Sequence, residues 1–226
     1  MDPTGEAWEI STQIDDNGVT HVNITITGVV YNNSSHTDIN LNDLASAIKN
    51  QIESVWTFST DKYKVNTTAN IRVAESAEDV TETDHVFQIV NKDLIKRDGK
   101  MYPANGSIKG LNIRMTPQTA HETISKENVR TIAHELGHTG GLEHPGLDNP
   151  IYILNTGNNI MTQTKNVGDP HNAANVENDQ IQSVINAYQN SELNQRSPLK
   201  IQHYINIGKY HFFPYKIITP YALRKR

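Results

Sequence analysis

The chain contains the stretch His134-Glu135-Leu136-Gly137-His138-Thr139-Gly140-Gly141-Leu142-Glu143-His144, which has the spacing HExxHxxGxxH. On a helix, His134 and His138 lie one turn apart on the same face, where two imidazoles can share one metal ion. Gly141 permits a sharp turn, because glycine enters left-handed conformations at little cost, and this turn brings His144 back as a third ligand. Three protein ligands leave one position of a tetrahedral shell open for water. The stretch therefore predicts a catalytic zinc site rather than a closed structural one.

Glu135 directly follows the first of these histidines, and we predict it to be the general base of the site. Its side chain projects toward the same cleft and can reach a water on the metal without being a ligand. The alternative is a surface helix with solvated histidines, but the glycine and the third histidine fall where the metal geometry needs them. Glu143 is the nearest competing carboxylate, and we expect it to be solvated or to contact a ligand from outside. The remaining histidines show no ligand spacing and are predicted to be surface or packing residues: His21, His36, His85, His121, His171, His203 and His211.

The composition is that of an ordinary water-soluble domain. The 226 residues suffice for one domain, or one domain with two lobes, and for a proper core. The mean hydropathy is -0.58, and no apolar run is long enough to span a bilayer. Residues 1–8 have neither a basic start nor an apolar core, so we expect no signal peptide in this sequence. There is no cysteine, which excludes disulfides and latency through a cysteine within the chain.

Periodicity predicts an α+β order of elements. A turn at 15–18 precedes the first strand, and alternation of apolar and polar residues predicts strands at 19–31, around 69–73, at 85–90 and at 111–115. Helical spacing predicts a helix capped by Asn40 that buries Leu41, Leu44, Ile48, Ile52 and Val55. It also predicts a metal-binding helix that begins near Ser125 and a last helix that ends before Ser191. Residues 145–170 are predicted to be loop.

The zinc motif is followed, 17 residues after His144, by Met161 in the loop Asn158-Asn159-Ile160-Met161-Thr162. Together these features resemble the metzincin clan of zinc metallopeptidases, whose signature is HExxHxxGxxH and a methionine turn. The resemblance implies that His134, His138 and His144 are zinc ligands, that Glu135 is the base, and that Met161 lies in a turn under the metal. Gln163 stands where some members of the clan have a tyrosine ligand, so we expect no tyrosine switch.

The resemblance also implies a metzincin-like fold. It comprises a twisted mixed sheet with a backing helix and an active-site helix, above a smaller irregular lobe with a C-terminal helix. We therefore divide the chain into a lead segment (1–18), an upper lobe (19–141), a lower lobe (142–192) and a tail (193–226). In the clan, the strand before the active-site helix pairs with an extended substrate. This role would fall to Leu111, Asn112, Ile113 and Arg114.

The function predicted from these features is zinc-dependent endopeptidase activity, in which Glu135 assists the attack of a metal-bound water on a peptide bond. Its cofactor is Zn²⁺, and its partner is a protein or peptide substrate. The alternative is a noncatalytic zinc-containing module that binds peptides in the same cleft without cutting them. The intact Glu135 favours the enzyme, because a pure binder has no need of a base.

The start of the chain carries a second, shorter resemblance. Asp2-Pro3-Thr4-Gly5-Glu6 is similar to the DPxG stretch that precedes the C-terminal toxin domain of Rhs-type polymorphic toxins. This resemblance implies an effector that is secreted or delivered into a target cell as part of a larger chain. It also implies an inhibitor or immunity protein as a partner. The alternative is a simple turn at the terminus.

The tail differs in charge from the rest of the chain. Residues 1–192 carry a net charge of -12, whereas residues 193–226 contain seven basic and no acidic residues. Basic residues mixed with aromatic ones can bind nucleic acid or an anionic surface. We favour a β-hairpin that turns near Gly208-Lys209 and packs on the acidic body, so nucleic acid is not expected as a partner. A pro-segment or lid across the cleft is a third interpretation.

Overall fold

The computed structural model describes residues 6–91, 96–97, 100–144, 159–162, 174–195, 200–202 and 215–217. The strands are β1 (Trp8–Ile14), β2 (Thr20–Asn33), β3 (Phe58–Ser59), β4 (Tyr63–Ala74), β5 (His85–Val90), β6 (Lys96–Arg97), β7 (Lys100–Met101), β8 (Ala104–Gly106), β9 (Asn112–Met115), β10 (Lys200–Gln202) and β11 (Tyr215–Ile217). The described helices are α1 (Leu41–Trp56), α2 (Pro117–Ile124), α3 (Thr131–Thr139) and α4 (Asn178–Gln189). The predicted α+β class is confirmed. None of these helices has the length and apolar character needed to cross a bilayer.

Seven of the described strands form one mixed sheet in the order β3-β4-β2-β5-β9-β8, with β1 also paired to β2. The long strand β2 runs parallel to β4 on one side. On its other side it pairs first with β1, antiparallel along 20–26, and then with β5, parallel along 28–33. β9 continues the sheet parallel to β5, and β8 ends it antiparallel to β9. The edge strand β8 contacts α3, the helix that carries the zinc motif.

Two buried tryptophans connect α3 by hydrogen bonds to α1 and β1. Trp56, at the end of α1, donates from Nε1 to the carbonyl of Ala133 at 3.2 Å. Trp8, on β1, donates from Nε1 to the Thr139 hydroxyl at 3.1 Å. The two rings also pack edge to face, with centroids 5.7 Å apart. The sheet and α1 therefore fix α3 near both of its ends.

The helix α1 agrees with its sequence signals. Asn40 caps it by accepting hydrogen bonds from the backbone N–H groups of Asn42 and Asp43. Its buried face includes Leu44, Ile48, Ile52 and Val55, as the spacing predicts. The strand β5 also has the predicted bounds, and the left-handed φ of Gly18 (80°) fits the predicted turn that precedes β2.

The start of the metal-binding helix was predicted incorrectly. Ser125 does not begin it but ends a separate helix, α2, whose first residue is Pro117 and whose cap is Thr116. The chain then passes through Lys126, which has a left-handed φ of 63°, and α3 begins only at Thr131. A proline at the first helical position favours initiation, so Pro117 starts a helix here rather than only ending a strand.

The lead segment 1–18 was also predicted too simply. Residues 8–14 form β1, which pairs with β2 along its whole length and buries Trp8. These residues are part of the sheet and not a separate lead.

In the tail, β10 and β11 pair antiparallel, with Lys200 opposite Ile217, as in a hairpin. The turn predicted at Gly208-Lys209 lies outside the described residues.

Beneath α3 lies a buried histidine. His85, on β5, is fully buried, and its Nε2 lies 3.1 Å from the Thr139 hydroxyl oxygen. That hydroxyl donates its own hydrogen to the carbonyl of Leu136, so it accepts from His85. Burial lowers the pKa of His85 from 6.5 to about 4, because the charged imidazolium would lose its hydration. His85 is therefore neutral at pH 7, as a packing residue should be.

We predict that this histidine makes the apo-protein acid-sensitive. Above about pH 6.5, His85 is neutral in both the folded and the unfolded chain, and the free energy of unfolding is at its full value. As the pH falls toward 4, the unfolded chain takes up the proton first, so the free energy of unfolding decreases by about 3 kcal/mol. Urea unfolding of the metal-free protein at several pH values measures this decrease. His85→Gln should give a shallower dependence of the unfolding free energy on pH than the wild type, and equal slopes would contradict the assignment.

Candidate metal centre

Three histidines converge at the C-terminal half of α3. His134 and His138 lie one turn apart on this helix, and their ring centroids are 5.0 Å apart. Gly141 has a left-handed φ of 86° and turns the chain back, as its position in the motif predicts. His144 Nε2 then lies 3.1 Å from His134 Nε2 and 3.2 Å from His138 Nε2. The three side chains can thus offer one nitrogen each to a common ion.

Backbone carbonyls fix the orientation of the two helical histidines. The Nδ1 atom of His134 lies 2.7 Å from the carbonyl oxygen of Ile160, and that of His138 lies 2.7 Å from the carbonyl oxygen of Leu142. A carbonyl can only accept, so each Nδ1 carries the proton and donates it. In the neutral rings, both Nε2 atoms therefore present a lone pair to the centre. This is the usual arrangement of metal-binding histidines.

The spacing of the nitrogens fits a metal ion. In a tetrahedral site with zinc–nitrogen distances of 2.0–2.1 Å, neighbouring ligand nitrogens are about 3.4 Å apart. The observed separations of 3.1 and 3.2 Å are close to this value. Imidazole ligands suit zinc, copper, iron and nickel, so the three histidines could hold a metal ion but do not by themselves specify which one.

The histidines are held neutral, as a metal ligand requires. Burial lowers the pKa of His134 to about 3 and that of His144 to about 4, and it also lowers the pKa of His138. The nearby charge of Arg130 lowers the pKa of His134 and His144 further. At neutral pH a metal therefore need not displace protons from these rings.

Glu135 lies between α3 and the edge strand β8. Its side chain is only 7% exposed, and its Oε2 accepts a hydrogen bond from the backbone N–H of Gly106 at 2.5 Å. Burial raises the pKa of this carboxyl to about 7, while the Gly106 N–H and the charge of Arg130 act in the opposite direction. A carboxyl with a pKa near 7 can both accept and donate a proton close to neutral pH.

Gly106 allows the close approach of β8 to α3. A Cβ atom at this position would lie 2.3 Å from the carbonyl oxygen of Glu135, so no other residue fits without displacing the strand. In the sequence, Asn105-Gly106 indicated only a break between elements. The pairing of Gly106 with Glu135 is a contact across 29 residues, and local sequence patterns do not report it.

Met161 packs against α3 at Gly137. It is fully buried, and a Cβ atom on Gly137 would lie 2.5 Å from its sulfur. The chain segment around it, residues 159–162, also supplies the carbonyl that holds His134. That Met161 lies in a turn under a metal ion stays a prediction. Gln163 lies outside the described residues.

The predicted substrate strand is not at the edge of the sheet. Residues 112–115 form β9, which pairs with β5 on one side and with β8 on the other. Leu111, Asn112, Ile113 and Arg114 therefore do not offer a free backbone edge, and the expectation that they pair with substrate as an edge strand is wrong. The intervening strand β8 takes that edge. The prediction failed because β8 is three residues long and too short to show periodicity.

Within the described residues, β8 ends the sheet, and its outer side lies against Glu135 of α3. On either side of β8, the Ser107 N–H donates to the carbonyl of Asn112, and the Pro103 carbonyl accepts from the Thr116 N–H. The backbone groups of residues 103 and 107, and of Asn105 between them, therefore point toward β9. By alternation, the backbone groups of Ala104 and Gly106 point the other way. The Gly106 N–H donates to Glu135.

The other polar residues considered in the sequence lie away from the three histidines. Glu143 is exposed, and His21, His36, His85 and His121 lie outside the three-histidine cluster.

No protein-family model matches the chain, and no curated protein matches it. Among solved structures, one described as the structure of a chaperone-substrate complex aligns with a TM-score of 0.42 at 14% identity. The alignment covers 75% of this chain and 35% of that chain, so the present chain spans about a third of that protein's length.

We predict that Gly106→Ala disturbs both the fold and the base. The added methyl group would push β8 from α3 and should cost roughly 1–3 kcal/mol of unfolding free energy, typical of an overpacked site. Urea unfolding measures the cost. Asn105→Ala is the matched control, since Asn105 is the exposed neighbour in the same strand. Equal stability of Gly106→Ala and wild type would show that the strand is not held tightly against the helix.

Proposed function

We propose that the protein is a zinc-dependent endopeptidase of metzincin type that uses Glu135 as its general base. The observation that carries this proposal is the convergence of three histidine nitrogens on the helix turn that also holds the buried carboxylate of Glu135 against the edge strand β8. A structural zinc site would be closed by a fourth protein ligand, whereas the described part of this site supplies three histidines. With three protein ligands, one position of a tetrahedral zinc shell would be left for water or substrate.

In this proposal, His134, His138 and His144 would hold the ion. When bound, zinc supplies Lewis-acid chemistry: it lowers the pKa of a water to about 7 and polarises a carbonyl group. Glu135 removes the proton from the attacking water and then delivers it to the amine that leaves. The raised pKa of Glu135 supports this double role, because a group that titrates near the working pH both takes and gives a proton readily.

We assign substrate binding to β8 instead of β9. An extended peptide would add at the Gly106 end of β8, as in other cases of strand addition, since Ala104 at the other end is only 4% exposed. Tyr102 and Ile108 flank this strand and are exposed, at 39% and 54%. Exposed apolar residues at this edge favour substrates with apolar side chains on either side of the cleaved bond.

Several features support the metzincin type. They are the full HExxHxxGxxH spacing, the left-handed turn at Gly141, the methionine packed under Gly137, and a mixed sheet backed by α1. The role as an effector, secreted or delivered into a target cell and restrained by an inhibitor or immunity protein, is a proposal based on residues 2–6. Of these, residues 2–5 lie outside the described part of the chain.

We predict that Glu135→Gln retains zinc but loses peptidase activity by about 10²–10⁴-fold, since the amide can still accept from Gly106 but cannot take a proton. Metal analysis and turnover of a fluorogenic peptide measure the two effects. The control is Glu143→Gln, which alters an exposed carboxylate next to His144 and should keep activity. A Glu135→Gln enzyme as active as wild type would refute the mechanism. Zinc binding by a wild type that cleaves nothing would favour the noncatalytic peptide-binding module.

A further inference from the structure

Arg130, the residue before α3, is buried and bound to the methionine segment. Its side chain is 4% exposed. Its Nη2 donates to two backbone carbonyls of residues 159–162: that of Ile160 at 2.5 Å and that of Thr162 at 2.8 Å. Burying a guanidinium is costly, and charge-assisted bonds offset part of that cost. Neither the sequence motif nor the metzincin resemblance points to this residue.

One of these carbonyls also serves a metal-binding histidine. The oxygen of Ile160 accepts from Arg130 Nη2 and from His134 Nδ1 at the same time. The bond to Nδ1 keeps the proton on that nitrogen and leaves Nε2 bare for the metal. If the segment moved away, His134 would lose this acceptor. Its proton could then occupy Nε2 for part of the time and compete with the ion.

The segment 159–162 is tied on its other side to residues near α4. Ile160 N–H donates to the carbonyl of Asn175, and Gln180 donates to the Asn159 side chain at 2.9 Å. These bonds attach the segment to α4 and to the residues just before it. The attachment to the metal-binding helix runs through Arg130, His134 and the packing of Met161 on Gly137.

We propose that Arg130 is a positioning residue: it clamps residues 159–162 to the start of α3 and so presents His134 Nε2 to the metal. This inference rests on the proposed zinc site but not on the proposed peptidase reaction.

Arg130 has two effects on zinc affinity, and they have opposite signs. Its positive charge opposes a nearby cation, so removal of the charge alone would strengthen zinc binding. Its hydrogen bonds order a ligand, so their removal weakens zinc binding.

The test is the zinc affinity of Arg130→Met, measured by competition with a chromophoric chelator. Methionine has a similar length but neither charge nor donors. The clamp predicts a 10–100-fold weaker affinity, the usual effect of losing a group that supports a metal ligand. The zinc affinity of Arg130→Lys should stay within about threefold of wild type, because the lysine ammonium group can donate to the same two carbonyls.

A second measurement is the ¹⁵N NMR spectrum of the His134 ring in the apo-protein. It should show the Nδ1-protonated form in wild type and a mixture of the Nδ1- and Nε2-protonated forms in Arg130→Met.

Gln51→Met is the matched control for simple destabilisation. Gln51 is a buried residue of α1 whose Oε1 accepts from the N–H groups of Ile132 and Ala133, so it anchors the same turn of α3 without touching residues 159–162. We expect this variant to be less stable but to bind zinc as wild type does. If Arg130→Met does not fold, Arg130→Gln replaces it, and an affinity loss of about tenfold is expected.

The inference is overturned if the methionine variant, or the glutamine variant in its place, binds zinc as tightly as wild type or more tightly. It is also overturned if Gln51→Met loses as much affinity. Failure of the proposed function gives a different result, because the wild type itself would then bind no zinc or would bind it without cleaving peptides.

Discussion

A metal ion shared by three imidazoles would need their nitrogens close together with lone pairs directed at one point, and the contacts around α3 favour such an arrangement: His144 Nε2 lies 3.1 and 3.2 Å from the Nε2 atoms of His134 and His138. Lone pairs at this distance repel each other unless an ion or a proton lies between them, so the rings need rigid support. The support comes from backbone carbonyls behind His134 and His138, and from Trp8 and Trp56, which hydrogen-bond the helix near its two ends. The mixed sheet is the platform from which these contacts reach the helix.

The same helix brings the proposed base to the edge of the sheet. Glu135 is next to His134 in sequence, and its carboxylate points to β8, where Gly106 lets the strand approach closely. A substrate paired with β8 would therefore lie beside both the histidines and the base. Arg130 contacts both parts of this site. Its charge lowers the pKa of Glu135, and its Nη2 donates to the Ile160 carbonyl, which also accepts from His134.

Local signals in the sequence predicted what depends on local physics. The cap at Asn40, the bounds of β5, the turn at Gly141 and the histidine cluster itself all follow from spacing and backbone preference. The errors arose where distant residues decide. The strand β1 is fixed by its pairing with β2, α2 separates Ser125 from the metal helix, and β8 takes the edge position expected of 111–114. Gly106 and Arg130 act through contacts 29 to 32 residues away, which a single sequence does not reveal.

We propose that the three histidines hold a zinc ion that serves peptide hydrolysis. Metal analysis of the purified protein, combined with digestion of a peptide library with and without a chelator, tests this proposal. We expect about one zinc ion per chain and internal cleavage that stops when the metal is removed and returns when zinc is restored. Absence of bound metal, or cleavage that continues unchanged in the chelator, would refute the proposal.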